Sequence, residues 1–194
     1  MSTTISPRDA LWREDLRKAR SAKERTSIAR VKMPELDPAY RVTCNEEVNC
    51  GLSSEAAVIE ATRCMDCPDP QCVTGCPVGI NIPGFIKNIE RGEFGQAARV
   101  LKETSALPSV CGRVCPQEKQ CESRCIYHKM KKEPVAIGYL ERFAADFDRA
   151  SGGEAAVIRP ESNGIMIAVV GSGPAGLSFA GDMAKRGYDV TVFE

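Results

Sequence analysis

Residues 64–77 read CMDCPDPQCVTGCP: four cysteines within thirteen residues, closed by a proline. A second group follows at Cys111, Cys115, Cys121 and Cys125, while Cys44 and Cys50 stand apart. Thiols crowded in this way must be oxidised, metal-bound or left as small apolar side chains, and each option dictates a different fold. Ten cysteines in 194 residues fall short of the ~8% density usual in disulfide scaffolds. The N-terminus, MSTTISPRDALWREDLRKAR, has no apolar stretch of the secretory kind and mixes acids among its arginines. No run approaches the ~20 apolar residues of a membrane span. The expectation is a soluble cytoplasmic protein, in which thiols stay reduced unless metal holds them. Clustered cysteines therefore read as metal ligands. With 26 basic and 26 acidic residues the net charge is zero, which argues against nucleic-acid binding, since that requires a basic footprint.

Zinc is one candidate occupant, in two four-cysteine sites of a non-redox interaction module. Closely spaced zinc ligands normally include a histidine, and the single one here, His128, lies outside both groups. The spacing C-x2-C-x4-C-x3-C-P points elsewhere. It varies the bacterial ferredoxin run C-x2-C-x2-C-x3-C-P, whose fourth cysteine crosses to another iron–sulfur cluster. By that logic Cys76 serves a second cluster together with members of the second group, which repeats the Cys-Pro ending at Cys115-Pro116. Seven ligands follow, and two residues compete for the eighth place. One is Cys111. The other is Glu141, which sits inside the apolar stripe Ile137, Leu140, Ala144, Phe147 of a predicted helix. A carboxylate facing a core is costly unless paired or metal-bound, and a buried ion pair to Arg113 explains it as well as metal does.

Residues 1–32 read as a charged helix running from a Ser6-Pro7 start to about Arg30, its nine Lys/Arg against four Asp/Glu forming a solvated face or a docking surface for a partner subunit. Residues 33–52 are irregular. Ser53 or Ser54 caps a short helix from Glu55 to about Cys64, and apolar residues at helical spacing follow at Ile82, Phe85, Ile86 and Ile89, then at Phe94, Ala97, Ala98 and Leu101. With the last helix, about 135–149, residues 33–150 read as all-α, built around something other than a large apolar core. Residues 151–164, SGGEAAVIRPESNG, have linker composition.

Residues 165–194 differ in kind. IMIAVV reads as a buried strand, GSGPAG as a turn, LSFAGDMAKRG as a helix and YDVTVFE as a second strand. Gly171, Gly173 and Gly176 satisfy G-x-G-x-x-G between strand and helix, and Glu194 lies at the end of the next strand, 23 residues after Gly171. This is the dinucleotide fingerprint: a tight turn, a backbone approach to pyrophosphate, close helix packing and an acid for the ribose hydroxyl. One β-α-β unit cannot cover both faces of a parallel sheet. The chain is therefore expected to be a fragment of a larger dinucleotide-binding domain, without catalysis of its own.

The stretches EATRCMDCPDPQC, CPVGINIPGFIKNIERGEF, LPSVCGRVCPQEKQCESRC and EPVAIGYLERFAAD closely resemble the N-terminal domain of the NADPH-dependent glutamate synthase small (beta) subunit family. The same domain begins dihydropyrimidine dehydrogenase and the large subunit of the bifurcating ferredoxin–NADP transhydrogenase. The resemblance covers roughly residues 30–194. It implies an α-helical ferredoxin domain with two [4Fe–4S] clusters, followed by the first β-α-β unit of an FAD-binding Rossmann-like domain. Carried over by position, Cys64, Cys67, Cys72 and Cys125 hold one cluster. Cys76, Cys115 and Cys121 hold the other, with a non-cysteine ligand at the position of Glu141 rather than Cys111. Cys111 is then a small buried residue, and Cys44 and Cys50 are structural. Pro174-Ala175 inside the turn resembles the flavoprotein version, so Gly171, Ser172, Gly173, Pro174, Ala175, Gly176 and Glu194 are the expected FAD contacts. The resemblance implies NADPH as donor and the glutamate synthase large subunit, or another electron-accepting subunit, as partner, with no role for nucleic acid or membrane. The transhydrogenase subunit is the alternative.

Overall fold

The computed structural model describes residues 6–153 and 160–194. Part of the expected linker, 154–159, lies outside the described residues.

Two short helices replace the single N-terminal helix expected from the charge pattern: α1 (Leu11–Ala19) and α2 (Ala22–Ser27). The break has a local cause. Ser21 accepts from the Glu24 amide, and the Glu24 carboxylate accepts from the Ser21 amide, a capping box that restarts the chain in a new direction. Ser6 is not an N-cap; it is buried, and its carbonyl accepts from Arg13 at 2.7 Å. The expected solvated basic face holds for Arg8, Lys18, Arg20, Lys23 and Lys32, which are exposed, but not for Arg13 and Arg25, which are buried.

After a short turn, α3 (Pro38–Arg41), the helical domain is built from α4 (Ser54–Thr62), α5 (Gln71–Thr74), α6 (Ile82–Glu90), α7 (Phe94–Lys102), α8 (Pro108–Val114) and α9 (Ile137–Ala150). Ser53 caps α4 by accepting from the Ala56 amide. Asn81 caps α6 and Pro83 sits in its first turn. The apolar repeats recognised in α6 and α7 face inward: Phe85, Ile86, Ile89, Ala97, Val100 and Leu101 are fully buried against Ala57, Ala61, Leu140 and Ala144. Phe94 packs edge-on to Phe143 at 5.0 Å and to Phe147 at 5.1 Å, joining α7 to α9.

Two features fix α9. Its N-terminal amides meet buried carboxylates from elsewhere: Glu60 accepts from Ala136 N at 2.8 Å, and Glu122 from Gly138 N at 3.2 Å. Glu60 also binds the Val31 amide and Arg63, while Glu122 pairs with Arg30 at 2.9 Å. At Gly112, α8 lies so close to α9 that a Cβ there would stand 2.6 Å from the Arg142 amide nitrogen. Glycine alone permits that approach.

In the C-terminal part, β1 (Met166–Val170) pairs in parallel with β2 (Asp189–Phe193), Met166 opposite Asp189, with α10 (Pro174–Ala184) crossing between them. The helix begins three residues earlier than the apolar pattern indicated, because Pro174 occupies its first turn. The expectation of a buried strand fails: Val169 is the one buried residue of β1, and Met166 and Val170 are more than four-fifths exposed. Two strands and one helix leave most of the sheet surface uncovered. Among the described residues, no helix is long and apolar enough to cross a membrane.

Candidate metal centres

By expected cluster, the ligands divide into a first group, Cys64, Cys67, Cys72 and Cys125, and a second, Cys76, Cys115, Cys121 and Glu141, and the first assembles from three separate segments. Cys64 lies just beyond α4, Cys67 follows a tight turn at Met65-Asp66, and Cys72 is in α5. Asp66 makes the turn possible by adopting a left-handed conformation, φ 51°. Cys125 arrives from far along the chain, between two 3-10 turns, Glu122–Arg124 and Ile126–Met130. All four line one cavity of about 530 Å3, walled by Ile82, Ile86, Val135 and Ile137. Burial pushes the Cys64 thiol up to about 11, against the opposing pull of Lys87. Burial and then the neighbouring Cys64, Cys125 and Cys67 push Cys72 up further. Cys67 rises through burial and Cys125.

The second group forms around α9. Cys76 follows α5, Cys115 ends α8, and Cys121 is buried at the start of a 3-10 turn. Burial, then Glu122, Cys76 and Glu141, push Cys121 up to about 12. Burial, Cys111, Glu141 and Cys76 push Cys115 up to about 11. These mutual influences place Cys76, Cys111, Cys115, Cys121 and Glu141 in one neighbourhood. Glu141 is 5% exposed, and burial lifts its carboxyl to about 7. Among the described residues, its Oε1 is the one buried side-chain oxygen or nitrogen with no hydrogen-bond partner.

The ion-pair explanation for Glu141 is corrected here. Arg113 points to Glu47 at 2.7 Å and to Asp146 at 2.7 Å. Cys111 is half-buried rather than buried, and its thiol is raised by burial and by Glu141, so it borders the second group. His128 is exposed. Cys44 is half-buried and Cys50 exposed.

Both groups are poor places for free thiolates. Burial and mutual repulsion oppose ionisation, and only a strongly positive occupant reverses that balance. The donors fit such an occupant, and those of the first group line a cavity that could receive it. Among the described residues, no three His, Cys, Asp or Glu side chains converge as the ligands of a single ion do.

The glycine turn keeps its expected geometry. Gly171 has φ +98°, and a Cβ on Gly176 would collide with the Gly171 carbonyl. Gly173 caps α10, with Pro174 behind it. The Ser172 amide donates to Glu194 Oε2 at 2.6 Å, and the Ser172 hydroxyl and amide hold the Glu194 carboxyl below its ordinary value.

The family described as dihydropyrimidine dehydrogenase domain II, 4Fe-4S cluster, matches residues 41–153, more than half of the chain. The chain belongs to that family. An NAD(P)-binding Rossmann-like domain matches residues 169–194. The molecule is therefore a helical iron–sulfur domain followed by the start of a Rossmann-like domain, as the sequence predicted. Among similar proteins, the putative oxidoreductase UacF of Escherichia coli K12 is 35% identical over 93% of this chain and 28% of its own length. The NAD-dependent dihydropyrimidine dehydrogenase subunit PreT of the same organism is 37% identical over 77% of this chain and 36% of its own. The glutamate synthase [NADPH] small chain of Azospirillum brasilense is 34% identical over 84% of this chain and 34% of its own. The chain thus spans about a third of the length of these family members.

Sequence reasoning missed the residues that fasten the first cysteine turn. Asp66 is fully buried and receives Arg13 and Arg17, one turn apart on α1, while the Arg8 side chain binds the Asp66 carbonyl at 3.1 Å. Lys87 and Arg25 donate to the Cys64 carbonyl. The i, i+4 spacing of Arg13 and Arg17 was the available signal, since it puts both on one helix face.

Proposed function

We propose that this chain is the electron-transfer region of an NADPH-dependent flavin and iron–sulfur oxidoreductase of the glutamate synthase small-subunit type. In this reading Cys64, Cys67, Cys72 and Cys125 hold one [4Fe–4S] cluster. Cys76, Cys115, Cys121 and Glu141 hold the other. The observation that carries the assignment is the Glu141 oxygen, buried without a partner beside three thiols. A carboxyl in that state is stable only when protonated or set opposite a positive group, and three neighbouring metal-binding thiols favour the second.

Each cluster, when bound, takes up and returns one electron. The chain's own residues set where and how easily. The thiols and Glu141 fix the positions, and the apolar wall of Ile82, Ile86, Val135 and Ile137 keeps water from the first. At the other end, the amides of the turn at Gly171, Ser172 and Gly173, with Ala175 and Gly176 opening α10, receive the pyrophosphate of FAD, and Pro174 presets the first helical turn. Glu194, already bonded to the Ser172 amide, takes the ribose hydroxyl. The chemistry needs no acid or base from the helical domain.

The preference rests on the resemblance of the cysteine stretches to the glutamate synthase small-subunit family, of which the A. brasilense small chain is 34% identical over 84% of this chain. The higher identity of PreT, 37%, supports a second reading as a subunit of an NAD-dependent dihydropyrimidine dehydrogenase. Iron, zinc and acid-labile sulfide per chain, measured on anaerobically purified protein, test the cofactor. About eight iron and eight sulfide are expected, and about two zinc without sulfide would overturn it. Oxidation of NADPH coupled to 2-oxoglutarate and glutamine, against NADH coupled to a pyrimidine, separates the two readings in the enzyme containing this chain.

A further inference from the structure

The segment 6–30 lies outside the matched family region, 41–153, yet it reaches into the domain at the backbone of the first cysteine turn. Arg13 donates through Nε to Asp66 Oδ2 at 3.3 Å and forms a second, shorter bond to Oδ1. Arg17 meets Asp66 Oδ2 at 2.5 Å. Arg25 donates to the Thr62 carbonyl at 2.5 Å, to the Cys64 carbonyl at 3.3 Å and to Glu90 at 2.8 Å. Lys87, fully buried, donates to the Cys64 carbonyl and pairs with Glu90.

Around the turn that carries Cys64 and Cys67, the cations Arg8, Arg13, Arg17, Arg25 and Lys87 thus outnumber the carboxylates Asp66 and Glu90. The second group is bordered by Glu122, which already pairs with Arg30 at 2.9 Å, and by Glu141, whose Oε1 has no hydrogen-bond partner among the described residues.

We propose that the N-terminal arm is the electrostatic outer shell of the first centre, with Arg13 and Arg17 as positioning residues that act through Asp66 to stabilise its reduced state. Adding an electron adds negative charge, so buried cations favour reduction and raise the potential. The proposal rests on the two-cluster reading above.

The test is anaerobic redox titration of the full chain, following each centre by electron paramagnetic resonance, with iron and sulfide counted on every sample. R13Q/R17Q should shift the first centre toward its oxidised form by about tenfold at fixed ambient potential, or roughly 59 mV for one electron. The second centre should not move. D66N should shift the first centre the opposite way. R17Q/D66N removes one charge of each sign and should return the potential to within about threefold of wild type, whereas a merely structural role would make the double variant worse than either single one. R13K/R17K, which retains charge but not the fork, should hold the potential. Unchanged potentials in R13Q/R17Q and D66N with full iron content overturn the proposal and leave the cluster reading standing. Absence of iron and sulfide from the wild-type chain overturns both.

Discussion

The two cysteine groups are built from the same materials but differ in the charges about them. The first lines a cavity with an apolar wall and is bordered by Lys87 and the arginines of α1 and α2. The second is bordered by Glu122, already paired with Arg30, and by Glu141, whose Oε1 has no hydrogen-bond partner among the described residues. The repetition of Cys-Pro in the sequence conceals this difference. Ligand type alone does not define an iron–sulfur site; the charges that surround it also decide what it can do.

The largest effect that could break this comparison is removal of the metal from both sites. Stripping iron anaerobically should unfold much of the helical domain, because the segments carrying the seven thiols and the buried carboxyl then lose the metal–ligand bonds that tie them together. Loss of far-ultraviolet helical signal together with iron is the expected result, and retention of the full signal would show that the apolar core suffices. Next in size are the single-site changes. Cys72→Ser should cost about half the iron and spare the second centre, whereas Cys76→Ser should do the reverse, as iron analysis and electron paramagnetic resonance would report; a full loss in either would couple the two sites. Glu141→Cys should keep the full iron content and alter the spectrum of the second centre alone, while Glu141→Ala should release iron from that centre. Cys111→Ala should leave both centres filled.

A smaller effect separates the packing around the sites from the sites themselves. Glu60→Ala leaves Arg63 and the Val31 and Ala136 amides without their acceptor, and breaking a buried pair of this kind should cost about 3–5 kcal/mol in denaturant unfolding. The smallest concerns Arg113. Burial pushes the Asp146 carboxyl up, but the hydrogen bonds and charge of Arg113 outweigh it and hold the group below its ordinary 3.8. A depressed carboxyl stabilises the fold above its unfolded pKa and loses that contribution as pH falls through the folded one. Both partners are part-exposed, so Arg113→Ala should cost at most about 1 kcal/mol at pH 7. The deficit should shrink in acid titrations of stability as pH falls below 3.8 and through the depressed folded pKa.

Much of this architecture was legible in the sequence. Apolar spacing gave α6, α7 and α9 within a few residues, Ser53 gave the start of α4, and GSGPAG gave the β-α-β crossover, because each is written in local chemistry. Cys64, Cys67 and Cys72 were grouped by spacing and Cys125 was added by the family resemblance alone; all four line one cavity. What was not legible depends on distant partners. The basic residues of α1 read as a solvated face since Asp66, their acceptor, lies about 50 positions away. Arg113 looked like a partner for Glu141, but Glu47 and Asp146 take its guanidinium instead. The exposed β1 strand shows the opposite limit. Its composition reports a buried environment that two strands cannot supply.

The contact at Gly112 has a consequence for how the second centre can change over evolutionary time. Cys115 leaves the end of α8 and Glu141 projects from α9, so their separation is gauged by two backbones touching, with no side chain between them to be trimmed or enlarged. Other core positions can trade volume with their neighbours. Here even a methyl group would act as a spacer, prising one donor from the other. A lineage could recolour the charges around this site freely, but it could not resize it without rebuilding the join between the two helices.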